Sequence, residues 1–209
     1  MSSFLDLLRI QRWDDHRYYH HSLVNQSLHL LSALSFVGAY LIMFKDPWLA
    51  ALIGWLVSMT SRQIGHFFFE PRDYDEVNQV TDAYKEAIKV GYNIRRKIVL
   101  MTIWALSPLL LVLDPTILGF VSPPRTWTQF WQHLGYLWLI VGMSGLIFRT
   151  VQLFLKQDLM TGLAWMTKII TDPFHDIKLY YRAPLLLARG GLIHQTLAPD
   201  DHDEPAESY

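Results

Sequence analysis

The feature that most constrains this chain is a stretch from Leu23 to Phe44 without a single Asp, Glu, Lys or Arg. About 20 mainly apolar residues in a helix cross the ~30 Å hydrocarbon core of a bilayer, and this stretch supplies them. A second run, 47–69, carries Arg62 as its only such charge. A third extends from Ile98 towards Val121, weakened by Pro108 and Asp114-Pro115, and a fourth from Leu134 to Leu155 carries only Arg149. The chain is 51% hydrophobic and only 18% charged, away from the usual soluble balance. The expectation is an all-α polytopic membrane protein: four spans plus interfacial helices, forming one helical domain over 1–199.

Charge distribution orients that domain, because short loops rich in Lys and Arg stay cytoplasmic. Arg9, Arg12 and Arg17 precede the first run; Arg72, Lys85, Lys89, Arg95, Arg96 and Lys97 lie between the second and third; Lys156, Lys168, Lys178, Arg182 and Arg189 follow the fourth. The opposite loops hold only Lys45 and Arg125. Both termini are expected in the cytoplasm, with the protein in a bacterial inner membrane or the endoplasmic reticulum. No apolar core precedes a small-residue cleavage site in the first 22 residues, so no removable signal peptide is expected. The net charge of −1 and the placement of the basic residues favour lipid headgroups over nucleic acid as the anionic neighbour.

Outside the apolar runs, residues 1–22 suit an amphipathic interfacial helix, with Phe4, Leu5, Leu7, Leu8 and Trp13 available to the headgroup region. A surface helix is expected around Glu76 to Val90. Asp172-Pro173 predicts a break before Phe174-His175-Asp176, and 200–209 an acidic disordered tail. The tryptophans are expected mainly as interfacial anchors.

Ionisable groups at membrane depth are costly and are retained where they face a cavity, bind an ion or do chemistry. Residues four apart share a helix face. His21, Asn25 and His29 therefore form one stripe, and Arg62, His66 and Glu70 another, on neighbouring antiparallel runs whose cytoplasmic ends coincide. At ~1.5 Å per residue, His29, His66 and Arg62 fall within roughly 6–12 Å of the cytoplasmic surface, with Arg149 at a comparable depth. The chain has no cysteine, so a metal would be held by nitrogen and oxygen. Imidazoles beside a carboxylate suit iron, zinc or copper. The candidate ligands are His20, His21, His29, His66 and His175. Asn25 and Glu70 are the candidate catalytic pair, orienting the ligand rings. Arg62 and Arg149 are the candidate substrate-binding cations, set to hold a fatty-acid carboxylate because no acidic residue lies beside them in their own runs.

Tyr18-Tyr19-His20-His21, Asn25, His29 and then Gly65-His66-Phe67-Phe68-Phe69-Glu70 resemble the signature of the membrane 2-hydroxy fatty acid dioxygenases of phytosphingosine metabolism, over about residues 13–72. The resemblance implies an Fe(II)-dependent α-oxidation in which dioxygen removes one carbon from a 2-hydroxy fatty acid, with His20, His29 and His66 as ligands. Helical spacing alone selects His21 over His20. The rival readings are a di-iron lipid hydroxylase or desaturase, prompted by His16-x-x-x-His20-His21, and a non-catalytic membrane scaffold locked together by its polar stripes.

Overall fold

The computed structural model describes residues 3–76, 78–117 and 119–193; the expected acidic tail lies outside them. Helix α1 (Phe4–Tyr19) starts in a reciprocal cap, with Ser3 Oγ accepting the Asp6 N–H at 3.2 Å while the Ser3 N–H donates to Asp6 at 3.0 Å. It ends at His20, and Ser22 caps α2 (Leu23–Met43). Pro47 opens α3 (Pro47–Ile53), where its missing N–H costs nothing. A π-helical turn, Gly54–Met59, joins α3 to α4 (Thr60–Phe68).

The second expected span is therefore not one α-helix. Pro47 to Phe68 is helical throughout, but the π turn widens it midway and shifts the face presented by everything downstream. Among the described residues three helices are long and apolar enough to cross a membrane: α2, α6 (Ile94–Leu113) and α7 (Trp127–Lys156). Their ends are set by caps that hydrophobic counting misses. Asn93 caps α6, which starts at Ile94, four residues before the first predicted position, and Asp114 closes it by turning its carboxylate onto the Thr116 N–H at 3.0 Å. Thr126 opens α7 well before Leu134.

Two other expectations change. The surface helix reduces to α5 (Asp82–Ile88), because Asp75 and Val80 close a turn through paired backbone bonds, with Gln79 at a φ of 53°. The break at Asp172-Pro173 does not form: α8 (Leu159–Tyr180) runs through Pro173. Beside the turn where Pro173 lacks an N–H, the Tyr40 hydroxyl donates to the Ile170 carbonyl at 3.0 Å. A short α9 (Ala183–Ala188) follows, and the chain returns to pair Leu192 C=O with the Leu23 N–H at 3.0 Å.

Helix α2 is the hub, packing on α3, the π turn, α4, α8 and α9. α1 lies on α8, and α7 packs on α3, α6 and α8. The apolar core is built on tryptophan: Trp55 stacks on Trp104 at 5.5 Å, Trp104 meets Trp138 at 5.3 Å, and Trp55 Nε1 donates to the Trp138 carbonyl at 2.8 Å. These rings, with buried Trp165, are packing elements and not the interfacial anchors expected. Gly135 lets α7 and α3 touch, since a Cβ there would lie 2.4 Å from the Trp48 carbonyl oxygen. By contrast α6 buries only Leu111 and leaves Ile98, Val99, Ile103, Leu106 and Leu109 exposed, a surface suited to lipid.

Candidate metal centre

Three segments bring His20, His29 and His66 together. His20 is the residue that ends α1, His29 lies two turns into α2, and His66 is in the last turn of α4. Ring centroids are 4.0 Å apart for His20–His29, 4.8 Å for His29–His66 and 5.7 Å for His20–His66. One ligand atom from each lies within 4.8 Å of the others. No other group of three or more His, Cys, Asp or Glu among the described residues has this geometry.

What surrounds the rings decides which nitrogens face inward. His29 Nδ1–H donates to the Asn25 carbonyl at 3.0 Å, and His66 Nδ1 is held by Glu70 Oε1 at 2.5 Å. His20 Nδ1 is 2.6 Å from the Tyr180 hydroxyl, which also meets His16 Nδ1 at 2.9 Å. Every Nδ1 is thus taken, so the rings are fixed with Nε2 available. The Nε2 atoms of His20 and His29 are buried with no hydrogen-bond partner among the described residues. An unsatisfied buried acceptor costs about 1–3 kcal/mol, and two side by side make a site that fits a cation of nitrogen preference such as iron, zinc or copper. Burial, followed by the neighbouring His29 and His66, pushes the His20 imidazolium well below its ordinary range, so the ring is in the neutral form a metal requires.

The approach of α4 to α2 depends on Gly65. A Cβ there would sit 2.2 Å from Asn25 Oδ1 and 3.1 Å from His29 Cε1, so only glycine admits His66 to the triad. Asn25 is fully buried; its Nδ2 donates to the Tyr19 carbonyl at 2.8 Å, while Gln26 Nε2 takes the His20 carbonyl at 2.8 Å. Together they hold the turn that delivers His20.

Other candidates fall elsewhere. His21 is turned away, bonding the Arg17 carbonyl through Nε2 and lying 3.8 Å from Asp75. The eight-residue face argument fails because α2 begins at Leu23, leaving His20 and His21 on a turn where helical periodicity does not apply. His175 is on α8, outside the triad, and lines a small pocket with Arg12, His16 and Asp176. Arg62 pairs with Asp176, and Arg149 binds the Val90 and Gly91 carbonyls and Gln152. Both are engaged by partners missing from their own runs, which α8 and the 89–93 loop supply, although Arg62 Nε is buried without a hydrogen-bond partner among the described residues. Tyr180, which the sequence reasoning missed, became visible only when α8 folded back onto α1.

A second cluster lies beside the triad. Lys168 joins Asp15 and, at 2.8 Å, Asp172, while Arg12 reaches Asp172 at 3.3 Å and Thr171 at 2.7 Å. Burial alone would lower Lys168, but Asp15 and Asp172 more than reverse this and raise it above its ordinary value. Burial would likewise raise Asp15, and Lys168 outweighs it and holds the carboxyl below its ordinary value.

Bordering His66 of the triad and Asp15 and Lys168 of this cluster is a cavity of about 390 Å³. Phe36, Met43, Trp55, Met101, Trp138 and Leu146 line its apolar length, and His66, Arg62, Lys89 and Lys97 are among its charged or ionisable walls. No family model, curated protein or solved structure matches this chain.

Proposed function

We propose that this protein is a membrane non-haem iron(II) dioxygenase that shortens 2-hydroxy fatty acids by one carbon. The observation carrying the reading is the pair of orphaned Nε2 atoms of His20 and His29, aimed with His66 at one point beside an apolar cavity. The sequence resemblance supplies the choice of iron and of a 2-hydroxy acid. Bound iron would contribute coordination positions for the acid's hydroxyl and carboxylate and for dioxygen. The balance closes without an outside reductant: a 2-hydroxy acid and one dioxygen give the acid one carbon shorter, carbon dioxide and water, the substrate losing four electrons and dioxygen gaining them.

The protein's own groups divide the remaining work. Glu70 and the Asn25 carbonyl hold the His66 and His29 rings by Nδ1 and keep Nε2 unprotonated. The Tyr180 hydroxyl oxygen would do the same for His20 by accepting its Nδ1–H. The Trp and Met walls of the cavity exclude water from the reacting end and would take the acyl chain. We place four spans in the membrane, counting the interrupted Pro47–Phe68 run, with both termini cytoplasmic and the triad near the cytoplasmic face.

Purified protein should hold one iron per chain. A 2-hydroxy fatty acid should be shortened under air but not under nitrogen. Iron-loaded protein that leaves the acid intact under air would overturn the reaction. The di-iron rival calls for about eight histidine ligands, and the described residues gather three. A scaffold would use its histidines between helices, whereas here two Nε2 atoms find no partner among the described residues.

A further inference from the structure

The proposed reaction brings a carboxylate beside the triad, and both arginines first suited to pair with it already have partners in the fold. Among the charged walls of the cavity, the other cations are matched as well. Lys168 has Asp15 and Asp172, and Lys89 lies 3.8 Å from Glu70, 3.5 Å from Glu86 and 3.7 Å over the Tyr19 ring. Lys97 is different. It lines the cavity, yet its ammonium makes no salt bridge or hydrogen bond among the described residues.

Its placement on α6 gives that charge a direction. Lys97, Leu100, Met101 and Trp104 follow the spacing of one helical face, and all four are half-buried while Ile98, Val99 and Ile103 between them are exposed. The first three line the cavity. One turn beyond the ammonium, therefore, the same face offers aliphatic surface running to the tryptophan core. The ammonium belongs to the first turns of α6, the end at which backbone N–H groups favour an anion. His66 is the one triad ring in the wall of this cavity, whereas His20 opens onto the small pocket behind the Arg62, Asp15 and Lys168 partition shared by the two. His66 and Lys97 both belong to the wall that a ligand in the apolar cavity would meet.

We propose that Lys97 anchors the carboxylate of a single-chain fatty acid whose tail fills this cavity. The inference rests on the fatty-acid reading above and identifies the specificity-determining residue within it. A carboxylate with one chain fits one unmatched cation in the wall of an apolar cavity; a neutral ester or alcohol of the same length leaves the ammonium unmatched.

The test is equilibrium binding of radiolabelled 2-hydroxypalmitate and of its methyl ester to the purified protein in detergent, with and without iron. Parent protein should bind the acid roughly 10- to 100-fold more tightly than the ester. Lys97→Met should lose that preference while keeping parent iron content, and Lys97→Arg should restore most of it. Equal binding of acid and ester to the parent overturns the proposal whatever the variants do. Equal preference in the parent and Lys97→Met overturns Lys97 but leaves the fatty-acid reading standing. A parent that holds iron and binds neither lipid overturns both, and a Lys97-dependent preference in protein that never takes up iron supports Lys97 while removing the dioxygenase.

Discussion

The Arg12–Asp172–Lys168–Asp15 cluster between α1 and α8 and the His20–His29–His66 triad are both largely buried polar groups, separated by little more than the Arg62–Asp176 pair. In the first, each charge faces an opposite one, with Lys168 closing on two carboxylates and Arg12 on a third contact at Thr171. In the second, the outward nitrogens are satisfied and two inward ones are not. A matched cluster stabilises a helix contact and asks for nothing more. A cluster matched on one side only has its rings fixed for an absent partner, and the cost of the orphaned atoms is returned when a ligand arrives.

The comparison is broken most directly by deleting one member of each cluster. His29→Ala should weaken iron binding by more than roughly 100-fold, since it removes a ligand and not merely a group behind one; metal content by mass spectrometry, with helicity by circular dichroism as the folding control, checks it. Retention of parent iron would mean the triad is structural after all. Lys168→Met should do the reverse. Removing one partner from a buried ion pair costs roughly 3–5 kcal/mol, read as a lower unfolding midpoint, while each folded chain keeps its iron.

Smaller changes sharpen the contrast. Tyr180→Phe takes the hydroxyl from between His16 and His20 and leaves three imidazoles in place. Iron affinity should fall roughly 10-fold, the usual scale for a group that orients a ligand, and stability should change less than in Lys168→Met. Acidity gives the smallest effect on the ion cluster. Asp15 has a folded value below its ordinary 3.8, so its contribution is present above 3.8 and lost only as pH falls through the lower folded value. Lys168 is raised above its ordinary 10.5, so its contribution is present below 10.5 and lost as pH rises through the higher folded value. Between those limits the cluster's share of stability should be flat, although iron should leave in acid, once the pH falls well below the ordinary imidazole range and His20 protonates. Metal-free protein whose stability fell over the same pH range in which the iron-loaded protein gives up its metal would show that the clusters are not independent.

The sequence by itself determined the helical class, the apolar runs that became α2, α6 and α7, and the composition of the site: no thiol, several imidazoles at the ends of apolar runs, and the Asn25, Gly65 and Glu70 positions around them. Those are properties of local pattern, which chain order carries. Tertiary structure alone decided between His20 and His21, because the choice depends on where α1 stops and α2 starts, a matter of the Ser22 cap and the Asn25 and Gln26 bonds to the intervening turn. It decided that Arg62 and Arg149 are already engaged, because Asp176 and the Val90 carbonyl lie far along the chain from them and arrive only through packing. It also supplied Tyr180 and left Lys97 unmatched, since whether a polar group has a partner is a property of the space around it, which a one-dimensional pattern does not contain.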